Sequence, residues 1–459
     1  MSFRDPAAAD LRLTPRVSRF FWGVCICLVA AEVGLAIASY GGRFLPTPPW
    51  PALAALIVFG LTGTLWLTFQ NAQTVPGARF VLCFAAVTRL IPVFAQPLFD
   101  DDYFRFLWDG YQLIQGVSPY ASAPAANFSR TDLSEPWHDV LAQINHPEVP
   151  TIYGPFLQAV FALAVSLGGA QPIGLQALFC GVDVALIAVL LRRGIAPRWV
   201  MMYVVNPLVI KEICFSLHPD GMIAAALALA ALALLSQRAV AGGFWMAAVI
   251  CAKLPLLMLG FALNVRNALH RSALMAAVLI AIALYVPFMW GGTDPLIGLK
   301  AFAQDWHFNA MGFSLFEWIA GGRARAALAA FYVISGLGFA VLVARYQIDT
   351  TTALVLWFAV IVTFAPAVNP WYWLPLLPLS LIAHNSRGIG LMTPWVGSFA
   401  LLLAYVNGAL LSDMGSGGSL KAFEVHPVAR FIEALFIASA LAYDFVRTWR
   451  RRDFRVATA

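Results

Sequence analysis

Long apolar segments recur along the whole chain and decide the solvent in which it folds. Runs of about 18 to 22 mostly apolar residues occur from Arg19 to Val446, and each is long enough to cross a hydrocarbon core of about 30 Å as a helix. Charged residues make up 11% of the sequence, whereas soluble domains contain roughly 25%. We therefore predict one all-α polytopic membrane domain over residues 1–459, with roughly 11–13 transmembrane helices.

Basic residues concentrate at the two ends of the chain. The cytoplasmic side of a membrane protein carries an excess of Lys and Arg, so residues 1–19 and the tail 447–459 are both predicted to be cytoplasmic. The net charge of +6 indicates membrane lipids as partners and no nucleic acid. The residues concerned are Arg4, Arg12, Arg16, Arg19, Arg447, Arg450, Arg451, Arg452 and Arg455.

An acidic segment, residues 100–110, follows the third apolar run. Helices at about 20–40, 51–70 and 80–97 carry the chain out, back and out again, which places the loop 98–153 on the outer face. Loops of such length are functional or disordered more often than simple connections. Further outer loops are predicted at 290–322 and 411–428.

The acidic segment has the spacing of an amphipathic helix. Asp102, Arg105 and Asp109 follow one another at i, i+3 and i+7, and Phe104 belongs to an apolar stripe beside them. This pattern predicts a helix on the membrane surface whose carboxylates face water. The alternative is a helix-capping cluster in which Asp101 and Arg105 form an ordinary surface pair.

The topology of residues 153–265 has two solutions. If all five apolar runs there cross the membrane, residues 192–198 lie outside and residues 218–220 lie inside. If the run at 156–169 and the run broken by Pro255 do not cross, the arginines at 192–198 return to the cytoplasm and residues 218–220 face outward. Charge asymmetry favours the second solution.

Several short motifs follow one another between about residues 95 and 385. They are Asp102-Tyr103-Phe104-Arg105, Ser118-Pro119-Tyr120, Asn145-His146-Pro147-Glu148, Asn206-Pro207, His218-Pro219-Asp220-Gly221, Lys253-Leu254-Pro255, Trp306-His307-Phe308-Asn309 and Asn369-Pro370-Trp371-Tyr372. As an ordered set, more than singly, they resemble the bacterial polyprenyl-phosphate-mannose-dependent mannosyltransferases of the GT-C superfamily, which are related to the eukaryotic GPI mannosyltransferase catalytic subunit.

The resemblance implies an inverting transfer of a sugar from a polyprenyl-phosphate donor to a glycan or glycolipid acceptor. Mannose is the preferred candidate for that sugar. It implies a GT-C fold in the bacterial inner membrane with a periplasmic active site and no required cofactor. The catalytic base would be Asp102, with Asp101 as the alternative. The candidate substrate-binding residues are Arg105, Asp109, His146, Glu148, Tyr153, His218, Asp220, Lys300, His307, Trp371, Tyr372 and His426.

Simpler roles compete for several of these residues. Asp220 has the position of a helix cap, Lys253 inside an apolar run is interpreted as structural, and Trp371 with Tyr372 suits an interfacial aromatic belt. Acidic pairs can bind a divalent cation, which stays open as an alternative. No preformed metal site is predicted, because Asp101 and Asp102 are adjacent and point in different directions on a helix.

Two other functions remain open at this point. A flippase or transporter of lipid-linked sugars would also need an apolar channel, but transporters place ionisable groups near the membrane midplane and contain internal repeats. No repeat of the segment 100–110 occurs, and Asp183 is the nearest candidate for a midplane carboxylate. The third possibility is an inactive relative that serves as a binding subunit, against which the retained Asp102 argues.

Overall fold

The computed structural model describes residues 18–40, 50–69, 77–387, 390–405, 425 and 427–456, and within these ranges it contains helices and no strand. The first group of helices is α1 Arg19–Ser39, α2 Trp50–Phe69, α3 Ala78–Leu90, α4 Tyr103–Ile114, α5 Glu135–Ala142, α6 Pro155–Gly168 and α7 Ile173–Arg192. The second is α8 Pro197–Val204, α9 Pro207–Val209, α10 Asp220–Leu235, α11 Ala239–Ile250, α12 Ala268–Trp290 and α13 Ile297–Asp305. The last is α14 Met311–Ala320, α15 Ala324–Tyr346, α16 Thr350–Thr363, α17 Leu376–Arg387, α18 Thr393–Ala400 and α19 Pro427–Val456.

The membrane character of the chain is confirmed. Five stretches among the described residues are long and apolar enough to cross a bilayer, or up to six if each bent helix pair is one span. The helical content of 77% agrees with an all-α polytopic membrane protein. The five stretches are Arg19–Ser39, Pro51–Phe69, Ile173–Arg192, Ala268–Trp290 and Gly312–Tyr346.

This count is lower than the predicted 11–13, because several apolar runs are divided into shorter pieces. α9 continues as a π-helix over Ile210–Phe215, and this pair meets α10 at a bend of 118°. The run that contains Pro255 ends as a 3₁₀ helix, Leu254–Ala262, and α6 has 14 residues. Proline removes a backbone donor and disrupts the regular helix, so an apolar run in the sequence need not become one span.

The predicted helix after the acidic segment exists as α4, but its surroundings differ from the prediction. All residues from Tyr103 to Gly110 are buried, including Asp109, which is 1% exposed. α4 packs so closely on α6 that a Cβ on Gly110 would come within 2.5 Å of the Phe161 carbonyl oxygen. α4 is therefore an internal helix and not a surface helix with water-facing carboxylates, because the chain that follows folds over it.

One buried ion pair joins three helices below the acidic segment. Arg89 Nε in α3 donates to Asp183 Oδ2 in α7 over 2.9 Å, and the Tyr203 hydroxyl in α8 donates to the other oxygen of Asp183 over 2.5 Å. All three side chains are almost fully buried. Asp183, the carboxylate considered in the transporter alternative, therefore has structural partners that fix the packing of these helices.

Candidate active site

The acidic segment meets a buried histidine from a distant part of the chain. Asp100 and Asp102 precede α4, and the Asp102 backbone N–H donates to Asp100 Oδ1 over 3.0 Å. His218 lies between the π-helix and α10, and its Nε2 is 3.2 Å from Asp100 Oδ2. Asp102 makes no side-chain cap to α4. The simple capping explanation therefore fails for Asp102, and Asp100 has a partner beyond its local turn.

His218 is held rigidly from its other side. Its Nδ1 lies 2.9 Å from Glu212 Oε2, and its ring stacks on Trp371 with centroids 3.5 Å apart. Lys211 and the Tyr405 hydroxyl both donate to Glu212, at 3.1 and 2.8 Å. Trp371, which was predicted to bind sugar or join an interfacial belt, supports the histidine ring.

Asp102 is positioned by an amide from the last part of the loop 98–153. Asn145 Nδ2 donates to Asp102 Oδ1 over 2.9 Å and to Asp101 Oδ1 over 2.7 Å. Partial burial raises the pKa of Asp102 to about 7, and the nearby negative charge of Asp100 adds to this effect. The pKa of Asp100 itself is lowered, chiefly by His218, against the opposing effect of burial. The pKa values of the two carboxyls are therefore shifted in opposite directions, and Asp102 changes charge near neutral pH.

A lysine–aspartate pair lies in the same region. Both oxygens of Asp220 accept from Lys253 Nζ, each over 2.8 Å, and the ammonium sits 4.0 Å from the Tyr372 ring centroid. Lys253 also lies within electrostatic range of Asp102. Lys253 was interpreted from the sequence as structural, and the fold supplies its partner, Asp220. Lys253 keeps 21% of its side chain exposed, whereas Asp220 keeps 4%.

Arg105 organises the loop that supplies Asn145. Its guanidinium donates to the backbone carbonyls of Asn145, His146 and Val149 at 3.2, 2.8 and 2.9 Å. These bonds use a large part of its donor capacity, so the structure places Arg105 as a support for residues 145–149.

Asp109 and Tyr153 lie in the core beside α4. Gln158 donates to Asp109 over 3.1 Å, and burial raises the pKa of Asp109 to about 6. The Tyr153 carbonyl accepts from the Tyr120 hydroxyl over 2.8 Å, while the Tyr153 ring packs edge-on against Phe106. These contacts tie the end of the loop to the beginning of α6.

The remaining candidates lie in more exposed places. His146 pairs with Glu148 at 3.4 Å, His307 pairs with Glu317 at 3.4 Å, and Lys300 pairs with Asp294 at 2.7 Å. In each pair both side chains are at least one-third exposed, so these are weak surface interactions. His426 lies outside the residues that the structure describes.

Three side chains have the geometry to hold a cation. One ligand atom each from Asp100, Asp102 and His218 falls within 4.8 Å of the others. This combination was not predicted from the sequence, where only Asp101 and Asp102 were considered as a metal site, because His218 is 118 residues from Asp100. Two of these side chains also contact each other directly, with His218 Nε2 3.2 Å from Asp100 Oδ2.

Comparison with known families gives one match and one negative result. Residues 49–268 match the model of the alpha-(1->6)-mannopyranosyltransferase family, N-terminal domain. No curated protein matches the sequence. The family match covers α2 to α11 with the segments that carry Asp102, Asn145, His218 and Lys253. It confirms the mannosyltransferase part of the resemblance predicted from the sequence, over residues 49–268.

Proposed function

We propose that this chain, whose residues 49–268 carry a mannosyltransferase-family domain, transfers mannose from a polyprenyl-phosphate donor to an acceptor hydroxyl on the periplasmic face of the bacterial inner membrane. The reaction inverts the anomeric carbon and requires no cofactor. The acceptor is a glycan or glycolipid, and membrane lipids surround the apolar helices.

The observation that carries this proposal is the environment of Asp102. A general base works best when its pKa lies near the working pH, and the pKa of Asp102 is raised to about 7. Asn145 fixes one oxygen of the carboxylate, so the group has a defined direction. Asp102 accepts the proton of the acceptor hydroxyl while the hydroxyl oxygen forms its bond to the anomeric carbon.

The departing group of this reaction is polyprenyl phosphate. The bond between the anomeric carbon and the phosphate oxygen breaks, and the phosphate leaves with the bonding electrons. Cations stabilise the developing charge. Lys253 is suited to this role, because its side chain is partly exposed and its ammonium, beside Asp220, lies within electrostatic range of Asp102. Attack and departure occur on opposite faces of the sugar, so one displacement inverts the configuration.

The outer location follows from the charge pattern of the sequence. The basic termini are predicted to be cytoplasmic, which puts the loop 98–153 with Asp102 on the periplasmic side. His218 contacts Asp100, so the proposed site requires residues 218–220 to face outward as well. This is the topology in which the arginines at 192–198 are cytoplasmic.

The test uses the purified full chain in detergent with polyprenyl-phosphate [¹⁴C]mannose and a linear α-1,6-linked mannoside as acceptor. We expect radiolabelled, lengthened mannoside and free polyprenyl phosphate in equal amounts, with inverted configuration at the new linkage by NMR. A parallel assay in liposomes follows intact donor across the bilayer. Donor translocation without any lengthened mannoside would overturn the proposal and favour a flippase.

A further inference from the structure

A half-open cavity of 490 Å³ lies beside the start of α4. Its floor is buried and formed by Pro97, Tyr103, Phe104 and Val140. Tyr103 and Phe104 directly follow Asp102 in the chain. The volume falls in the range of about 300–1,000 Å³ that is typical of small-molecule sites.

The rim of this cavity is polar and lacks basic groups. No Lys or Arg occurs among the described residues that line it. Two carboxylates, Glu135 and Asp139, lie there one helical turn apart on α5. A phosphate would be repelled by these carboxylates, so the cavity does not suit the charged end of the donor. Carboxylates and amides together can accept from and donate to the hydroxyls of a neutral carbohydrate. The exposed rim side chains are Gln96, Glu135, Asp139, Gln143 and Gln171.

Hydrogen bonds and a ring stack fix the walls of the cavity. The Gln96 backbone N–H donates to Ser39 Oγ over 2.9 Å, which ties this segment to the end of α1. Gln176 donates to the carbonyls of residues 92 and 95 at 2.9 and 2.6 Å. Tyr111 of α4 stacks on Trp137 of α5 with centroids 4.1 Å apart. A cavity whose walls are held in this way loses little conformational freedom when a ligand binds.

We propose that this cavity binds the carbohydrate part of the acceptor. Sugar rings pack on Tyr103 and Phe104, and their hydroxyls bond to the polar rim. The assignment rests on the proposed function, because the acceptor must end at Asp102. Two residues of the cavity are close in the chain to this site: Tyr103 directly follows Asp102, and Gln143 lies two positions before Asn145, whose amide donates to Asp102.

The experiment measures binding of α-1,6-linked mannotetraose to the full chain in detergent by isothermal titration calorimetry, without donor. Ala170→Trp fills the cavity with a large side chain, and Glu135→Ala with Asp139→Ala removes rim acceptors. We expect each change to weaken binding by about tenfold or more. Asp132→Ala is the matched control, because Asp132 is an exposed carboxylate in the same loop outside the cavity, and it should bind as the wild type does.

Asp102→Asn separates this inference from the proposed function. It should abolish transfer and retain mannotetraose binding, so a failure of chemistry and a failure of the cavity give different results. Thermal unfolding of each variant verifies folding, and the rim double variant carries the test if Ala170→Trp does not fold. Absence of binding by the wild type, or unchanged binding by the folded cavity variants, would overturn the inference.

Discussion

Asn145 donates to Asp102 across 2.9 Å, linking the end of the first loop to its beginning. A hydrogen bond to the charged carboxylate lowers its pKa, so Asn145→Ala should raise the pKa of Asp102 above about 7. A base acts only when deprotonated, and the acidic limb of the kcat/KM profile should therefore move to higher pH. We expect about a tenfold loss at pH 6.5. Asn127→Ala, in the same loop but bonded to Ala123 and Ser122, should leave the limb in place.

Asp100 should shift the same profile in the opposite direction. Its negative charge contributes to the raised pKa of Asp102, so Asp100→Asn should lower that pKa. The acidic limb of kcat/KM should move to lower pH, even if the maximal rate falls because His218 has lost its partner. The measurement is the full pH profile of mannosyl transfer. A limb that stays in place or moves upward would contradict the account of how Asp102 is tuned.

Variants of Lys253 and Asp220 can separate a structural role of Lys253 from a catalytic one. Lys253→Met leaves the carboxylate of Asp220 buried and unpaired, which should cost about 3–5 kcal/mol of the free energy of unfolding. Lys253→Met combined with Asp220→Asn should recover most of that stability, measured by thermal unfolding. Transfer should remain at least about 100-fold below wild type in the double variant, because the cation for the leaving phosphate is missing. Recovery of both stability and transfer would assign Lys253 a structural role only.

Arg105→Lys should disturb the loop without retuning the base. Lysine cannot span the three carbonyls that Arg105 reaches, so residues 145–149 should exchange their amide hydrogens faster. We expect transfer to fall by about tenfold, because Asn145 is less well placed. Arg130→Lys, at an exposed pair with Asp132, is the control and should change neither quantity. Equal exchange in the wild type and Arg105→Lys would contradict the supporting role of Arg105.

Chelation tests whether Asp100, Asp102 and His218 hold a metal ion that the reaction uses. The proposed reaction uses no metal, because Asp102 acts as the base and Lys253 stabilises the leaving phosphate. Transfer should therefore persist in EDTA at more than about half of the untreated rate, with no restoration by Mn²⁺. Complete loss in EDTA and recovery with Mn²⁺ would show instead that the three side chains act as ligands.

The sequence was most informative about the membrane environment and about local helix formation. Apolar runs revealed the membrane, because the bilayer demands long apolar helices. The spacing around Asp102 predicted a helix that the structure places at Tyr103–Ile114. The burial of that helix was not predictable in this way, since the chain that covers it follows tens of residues later. The sequence also did not predict that the apolar stretch over residues 207–235 is divided, because the π-helix and the 118° bend depend on packing.

The site depended on contacts that spacing does not encode. Asn145 lies 43 residues from Asp102, and Lys253 lies 33 residues from Asp220. Family motifs identified Asp102 and the segment that contains His218, but the partners of each side chain required the fold. Lys253 stood out in the sequence as a charge within an apolar run, which needs a partner or a cavity, but its partner Asp220 could be identified only in the fold.

Mannosyl transfer by Asp102→Asn and Asp101→Asn tests the central claim most directly. Both variants are nearly isosteric, and Asn145 contacts both residues, so each is the matched control of the other. With polyprenyl-phosphate mannose and an α-1,6-linked mannoside, Asp102→Asn should lose at least about 1,000-fold in kcat, whereas Asp101→Asn should stay within about tenfold of wild type. Full activity of Asp102→Asn would contradict the assignment of Asp102 as the catalytic base.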